Sequence, residues 1–176
     1  MTAPGELLTR LTVWAALCAY GLGAGMMLAR RNPDAEWRAV ARAVWTAGCA
    51  FFLAHVVCAF QFYHHWSHTE AYLETAERAA KLTGWHSGSG LYLNYLFAAI
   101  WVADTLWQWI APRGCERRPA WVVNALHTFF LFMIFNGTVV FGHGFARWLG
   151  VVLCAGLGVL WIRKSARGIA PAAAIR

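Results

Sequence analysis

Charged residues are scarce in this sequence. They make up 13% of the 176 residues, whereas 60% are hydrophobic. An ordinary soluble protein carries about a quarter charged residues. Stretches of about twenty residues with one charge or none recur along the whole chain. The deficit of charge therefore excludes an ordinary soluble domain and predicts a protein that crosses a membrane several times.

Several chemical motifs are also missing. No two of the five cysteines form a CxxC pair, and four of them lie within apolar stretches, so they are predicted to be small buried side chains. No nucleophile–base motif assigns a catalytic residue. The net charge of +7 comes from short basic clusters between apolar stretches. Such clusters are typical of membrane topology signals, and no nucleic-acid partner is expected.

The apolar stretches predict an all-α, polytopic membrane helix bundle in one domain, with about five transmembrane helices. The N-terminal stretch lacks a preceding basic segment and is too long for the core of a signal peptide, so it is predicted to be a retained first span. The predicted spans are about 7–29, 44–63, 91–111, 121–141 and 145–162.

The polar segment 64–90 separates the second and third spans. Within it, Ser67-x-x-Glu70 is typical of a helix N-terminus, because the serine side chain accepts a hydrogen bond from a free backbone N–H. A glycine in the left-handed conformation often ends a helix. The segment therefore predicts a short interfacial helix over about 68–83 that ends near Gly84.

Basic residues are unevenly divided between the two predicted sides of the membrane. Eleven of the fifteen lysines and arginines fall on one side and four on the other. Cytoplasmic loops carry the excess of basic residues. We therefore expect the N-terminus outside and the C-terminus in the cytoplasm. The lipid bilayer is the expected partner. Other membrane subunits are further candidate partners if the chain does not act alone.

Histidines are concentrated on the predicted outer side, where five of the seven lie. His64 and His68 are four residues apart, a spacing that places two metal ligands on one face of a helix. His86 and His143 lie in outer turns and could complete the site. Copper or zinc suits such a set of imidazoles, and iron would also want a carboxylate. The alternative is that these histidines are polar residues at a wet membrane surface.

His55 lies inside the second predicted span. It comes nine residues before His64, which places it on nearly the opposite side of a continuous helix. Two interpretations stay open: a packed, hydrogen-bonded histidine, or a haem ligand. Met133 falls at about the same depth and could supply the second axial ligand of a haem b. Haem is the alternative cofactor to a bare metal ion.

A second group of buried polar residues is predicted nearer the inner side. Asp104 and His127 lie at the same depth in consecutive spans, and Asn124 shares a helix face with His127. A carboxylate in hydrocarbon needs a partner, so an Asp104–His127 hydrogen bond is expected. This group is either a structural link between two helices or a site for a proton relay or a quinone head, in which His127 exchanges protons.

Two classes of function follow from the sequence. The first is a membrane protein with a histidine-rich site on its outer face that binds a transition metal, or alternatively haem, for redox chemistry or metal handling. The second is a non-catalytic structural or assembly subunit of a larger membrane complex, in which the histidines are incidental. A transporter is disfavoured because the sequence has no internal repeat.

Overall fold

The chain is helical in nearly all of the part that the structure describes. The structure, a computed structural model, describes residues 3–29, 34–142 and 144–169, with side chains for 4–29, 34–142 and 144–163. Its helices are α1 (Ala3–Ala29), α2 (Ala35–Phe62), α3 (His68–Thr83), α4 (Gly90–Ile110), α5 (Pro112–Glu116), α6 (Ala120–Phe135), a π-helical turn (Asn136–Val140) and α7 (Phe145–Ile169). These ranges contain no strand, and the predicted all-α class is confirmed.

Four of these helices are long and apolar enough to cross a membrane. They contain the segments Pro4–Ala29, Ala35–Phe62, Ala120–Val140 and Phe145–Arg163. The predicted third span corresponds to α4, which has 21 residues and is not among these four, and which includes the polar residues Asn94, Asp104 and Gln108. Hydropathy therefore identifies four candidate spans among the described residues, and the packing of α4 bears on the fifth.

Five helices pack side by side in a closed ring. α1 contacts α2 and α7, α2 contacts α4, α4 contacts α6, and α6 contacts α7. Each of the five contributes a buried side chain to the interior: Tyr20, Trp45, Trp101, Phe130 and Leu157. The centroids of the four aromatic rings lie 5.2–6.0 Å apart in every pairing. Helix association within a membrane depends on such close packing.

The helix ends differ in part from the predicted ones. α2 begins at Ala35, nine residues before the predicted span, because Asp34 caps it: the Asp34 carboxylate accepts a hydrogen bond from the Trp37 backbone N–H at 2.7 Å. α3 has the predicted ends. The Ser67 hydroxyl accepts from the Glu70 N–H at 3.2 Å, and Gly84 ends the helix with a φ of 75°.

Replacing Ser67 with alanine is expected to destabilise α3 by about 1 kcal/mol, because the cap hydrogen bond is lost. Amide hydrogen exchange in the first turn of α3 should then be about fivefold faster. Thr69→Ala is the control, since the structure records no hydrogen bond for its side chain among the described residues. Equal exchange rates in the two variants would contradict the capping role.

Candidate functional site

A cavity of about 170 Å³ lies between α1, α6 and α7. α1 and α6 are not adjacent in the ring, and the cavity occupies the space between them. Its polar lining residues are Tyr20, Asn124, His127 and Trp161, and the rest of its wall is apolar. An apolar cavity of about 150 Å³ binds benzene in another protein. This cavity is therefore large enough for one six-membered ring.

Tyr20 and His127 place two polar groups on the cavity wall. Tyr20 is 1% exposed and His127 is 9% exposed, and the Tyr20 hydroxyl lies 3.4 Å from the His127 Nδ1 atom. Packing fixes both rings, since Tyr20 stacks on Phe130 at 5.5 Å and the His127 ring meets Trp45 edge-on at 5.8 Å. A hydrogen bond is usually 2.7–3.2 Å long, so this contact between them is weak.

Asn124 lies one helical turn before His127 on α6 and also lines the cavity. Its side chain is exposed, whereas His127 is buried, so the polar part of the wall runs from the surface of the bundle to its interior. The sequence pattern placed these two residues on one face of a helix, and the structure brings both to the cavity. The pattern did not indicate Tyr20, which looked like one aromatic residue within an apolar span.

Asp104 lies in a separate polar cluster. Its carboxylate is 5% exposed and accepts hydrogen bonds from Gln108 Nε2 at 2.7 Å and from the Arg118 guanidinium. The structure thus differs from the expected Asp104–His127 hydrogen bond, since the recorded partners of Asp104 are Gln108 and Arg118. A full cation offsets the burial of a carboxylate better than a neutral imidazole does. We conclude that Asp104 joins α4 to the segment before α6.

Cys115 lies close to this polar cluster, beside Arg118 and Glu116. Burial raises the pKa of its thiol above the usual range, and the nearby Arg118 opposes this effect only in part. The thiol is therefore protonated at neutral pH, and a thiol is a much weaker nucleophile than a thiolate. The position gives no support to Cys115 as a catalytic group.

The histidine run has a different geometry from the expected one. α2 ends at Phe62 and α3 begins at His68, because His65 and Trp66 have left-handed backbone conformations with φ of 48° and 60°. His64 and His68 therefore do not share a face of one helix. The His64 Nδ1 atom lies 3.2 Å from a Glu74 carboxylate oxygen, and the His68 Nδ1 atom lies 3.0 Å from the Tyr95 hydroxyl.

Within residues 3–29, 34–142 and 144–169, no three His, Cys, Asp or Glu side chains are grouped so that they could hold a metal ion. His86 is exposed in the loop after α3. His143 lies outside the described residues. A transition-metal site that includes it stays a prediction, and the described geometry of His64, His68 and His86 does not support one.

His55 joins α2 to α1. Its Nδ1–H group donates a hydrogen bond to the Thr9 backbone carbonyl at 2.9 Å, and its ring lies 6.3 Å from that of Phe52. This is the geometry of the packed, hydrogen-bonded alternative. Met133 on α6 packs against the aromatic core, and α4 stands between α2 and α6 in the ring. Haem ligation by His55 and Met133 stays a prediction without support from this arrangement.

Comparisons with known proteins add no assignment. No protein-family model matches the chain, and no curated protein or solved structure is significantly similar to it. The function is therefore inferred from the geometry of the cavity and its polar lining.

Proposed function

We propose that the chain crosses the membrane five times and binds a small lipophilic molecule with a hydrogen-bonding ring in the cavity at Tyr20 and His127. A quinone is the class of molecule that fits best. The observation that carries this proposal is the pair of buried polar side chains, Tyr20 and His127, on the wall of a mostly apolar, ring-sized cavity. Binding sites for small molecules are typically apolar cavities with a few polar groups that fix orientation.

The packing of α4 supports five spans. Its 21 residues extend about 31 Å at 1.5 Å per residue, which matches the hydrocarbon thickness of about 30 Å. It takes one of the five places in the ring and buries Phe97 and Trp101 in the core. With five spans, the excess of basic residues on one side favours an N-terminus outside and a C-terminus in the cytoplasm. α3 then lies at the outer membrane surface.

The cavity offers the right groups for a quinone ring. Its apolar side chains, such as Leu131 and Leu157, can contact the ring face. Quinone carbonyl oxygens accept hydrogen bonds, and a tyrosine hydroxyl, an imidazole N–H and an asparagine amide can donate them. Tyr20, His127 and Asn124 carry these donors at the cavity wall. The tail of such a molecule would remain in the lipid.

The proposal is tested by the binding of a short-tailed benzoquinone, 2,3-dimethoxy-5-methyl-1,4-benzoquinone, to the protein in lipid nanodiscs. Equilibrium dialysis should show saturable binding at one site per chain. Tyr20→Phe and His127→Leu should each raise the dissociation constant about tenfold, the effect of losing one hydrogen bond of about 1–1.5 kcal/mol. Leu157→Trp should abolish binding because it fills the cavity.

His86→Leu is the matched control, since it removes an exposed imidazole far along the chain from the cavity. Thermal unfolding of each variant establishes that the fold is kept. Binding that does not saturate in the wild-type protein would overturn the proposal. So would folded Tyr20→Phe and Leu157→Trp variants that bind the benzoquinone as the wild type does.

A further inference from the structure

A second polar surface lies at the predicted cytoplasmic end of the bundle, where the start of α2 meets α5 and the end of α4. Arg42 on α2 donates a hydrogen bond to the Gln108 backbone carbonyl at 3.1 Å, and its guanidinium lies 5.1 Å from the centre of the Trp109 ring. The guanidinium is therefore held in one place at the end of α4. A cation above an indole face is stabilised by the ring.

Among the residues that the structure describes, five arginines share this surface, and two of them are paired with carboxylates. Arg38 lies 3.2 Å from Glu116, and Arg118 binds the buried Asp104. The others, Arg42, Arg113 and Arg117, have no carboxylate partner among the described residues. Arg113 and Arg117 are exposed and four residues apart on the connection between α4 and α6. The surface therefore carries three positive charges without a compensating carboxylate.

Three exposed tryptophans lie at the same end of the bundle. Trp107 is 42% exposed, Trp109 is 56% exposed and Trp121 is 71% exposed. Tryptophan is enriched where a membrane protein passes through the lipid headgroups. The tryptophans therefore place the three arginines at the level of the phosphates, where basic pockets bind anionic lipid headgroups.

We propose that Arg42, Arg113 and Arg117 bind the headgroup of an anionic phospholipid at this corner of the bundle. Guanidinium groups suit this role because they form paired hydrogen bonds with phosphate oxygens. Arg42 is held in place by its contacts with Gln108 and Trp109. The exposed side chains of Arg113 and Arg117 bind the phosphate from the α5 side. Arg38 and Arg118 keep their carboxylate partners and maintain the shape of the surface.

The test is a titration of the purified full-length protein with phosphatidylglycerol or phosphatidylcholine, followed by native mass spectrometry from a neutral detergent. Phosphatidylglycerol should bind more tightly than phosphatidylcholine. Arg113→Gln should weaken binding of phosphatidylglycerol about fivefold, the effect of one arginine near an anionic surface, and the Arg113→Gln/Arg117→Gln variant should lose the preference. Binding of phosphatidylcholine should not change.

The control is the double variant Arg78→Gln/Lys81→Gln, which removes the same charge from α3 at the opposite end of the bundle. It should keep the preference for phosphatidylglycerol. Equal affinities for the two lipids in the wild-type protein would overturn the proposal, as would an unchanged preference in the Arg113→Gln/Arg117→Gln variant. Competition by millimolar inorganic phosphate would identify a site for a soluble anion and would also overturn it.

Discussion

Replacing Arg118 with methionine is expected to lower the free energy of unfolding by about 3–5 kcal/mol. The change removes the cation from Asp104, whose carboxylate is 5% exposed on α4. Gln108 would remain as its hydrogen-bond partner, but a neutral amide does not offset a buried negative charge. Reversible unfolding in mixed micelles, followed by circular dichroism, measures the loss.

Two further variants separate the buried charge from the loss of packing. Asp104→Asn combined with Arg118→Met should recover much of the stability, since the double variant leaves no uncompensated charge. Arg78→Met breaks an exposed ion pair with Glu74 and should cost less than about 1 kcal/mol. If Arg118→Met cost no more than Arg78→Met, the structural role assigned to the Asp104 pair would be wrong.

Replacing Gly150 with alanine is expected to destabilise the bundle by about 1–3 kcal/mol through overpacking. Gly150 on α7 faces the π-helical turn, and an added Cβ atom would overlap the Thr138 hydroxyl and lie 2.6 Å from its Cβ atom. Thr138 cannot move away easily, because its hydroxyl donates a hydrogen bond to the Ile134 carbonyl at 2.6 Å. The same unfolding measurement reports the loss.

Gly156→Ala is the matched control on the same helix. An added Cβ atom there would have no heavy atom within 4 Å. This substitution should be neutral or slightly stabilising, because alanine favours a helix by about 1 kcal/mol over glycine. Equal effects of the two substitutions would show that α7 does not pack closely against the π-helical turn.

Much of the fold could be predicted because its signals are local. Long apolar stretches located the helices, and the Ser67–Glu70 pattern and Gly84 located the ends of α3. Within the fourth predicted span the structure also has a π-helical turn at Asn136–Val140. The number of spans is harder to predict, because α4 is apolar only in part. Whether it belongs to the bundle depends on its packing against the neighbouring helices.

The polar contacts could not be predicted because they depend on which segments the tertiary fold brings together. Arg118 looked like a topology signal in a basic loop, yet its long side chain reaches back to the buried Asp104. Two consecutive left-handed residues, His65 and Trp66, break the helix that His64 and His68 were expected to share. Non-glycine residues adopt this conformation rarely, so the left-handed backbone at these two positions could not be predicted from residue type.

The four aromatic rings at the centre of the bundle also govern how a molecule could reach the cavity. Tyr20, Trp45, Trp101 and Phe130 are each at most 2% exposed, and together they fill the axis of the ring of helices. These rings close the route along that axis, and we expect the proposed quinone to enter between the helices from the surrounding lipid. For such a route, the occupancy of the cavity depends on the concentration of the ligand in the bilayer. A dissociation constant expressed per total volume would then change with the amount of lipid in the sample, while one expressed as a mole fraction of lipid would not.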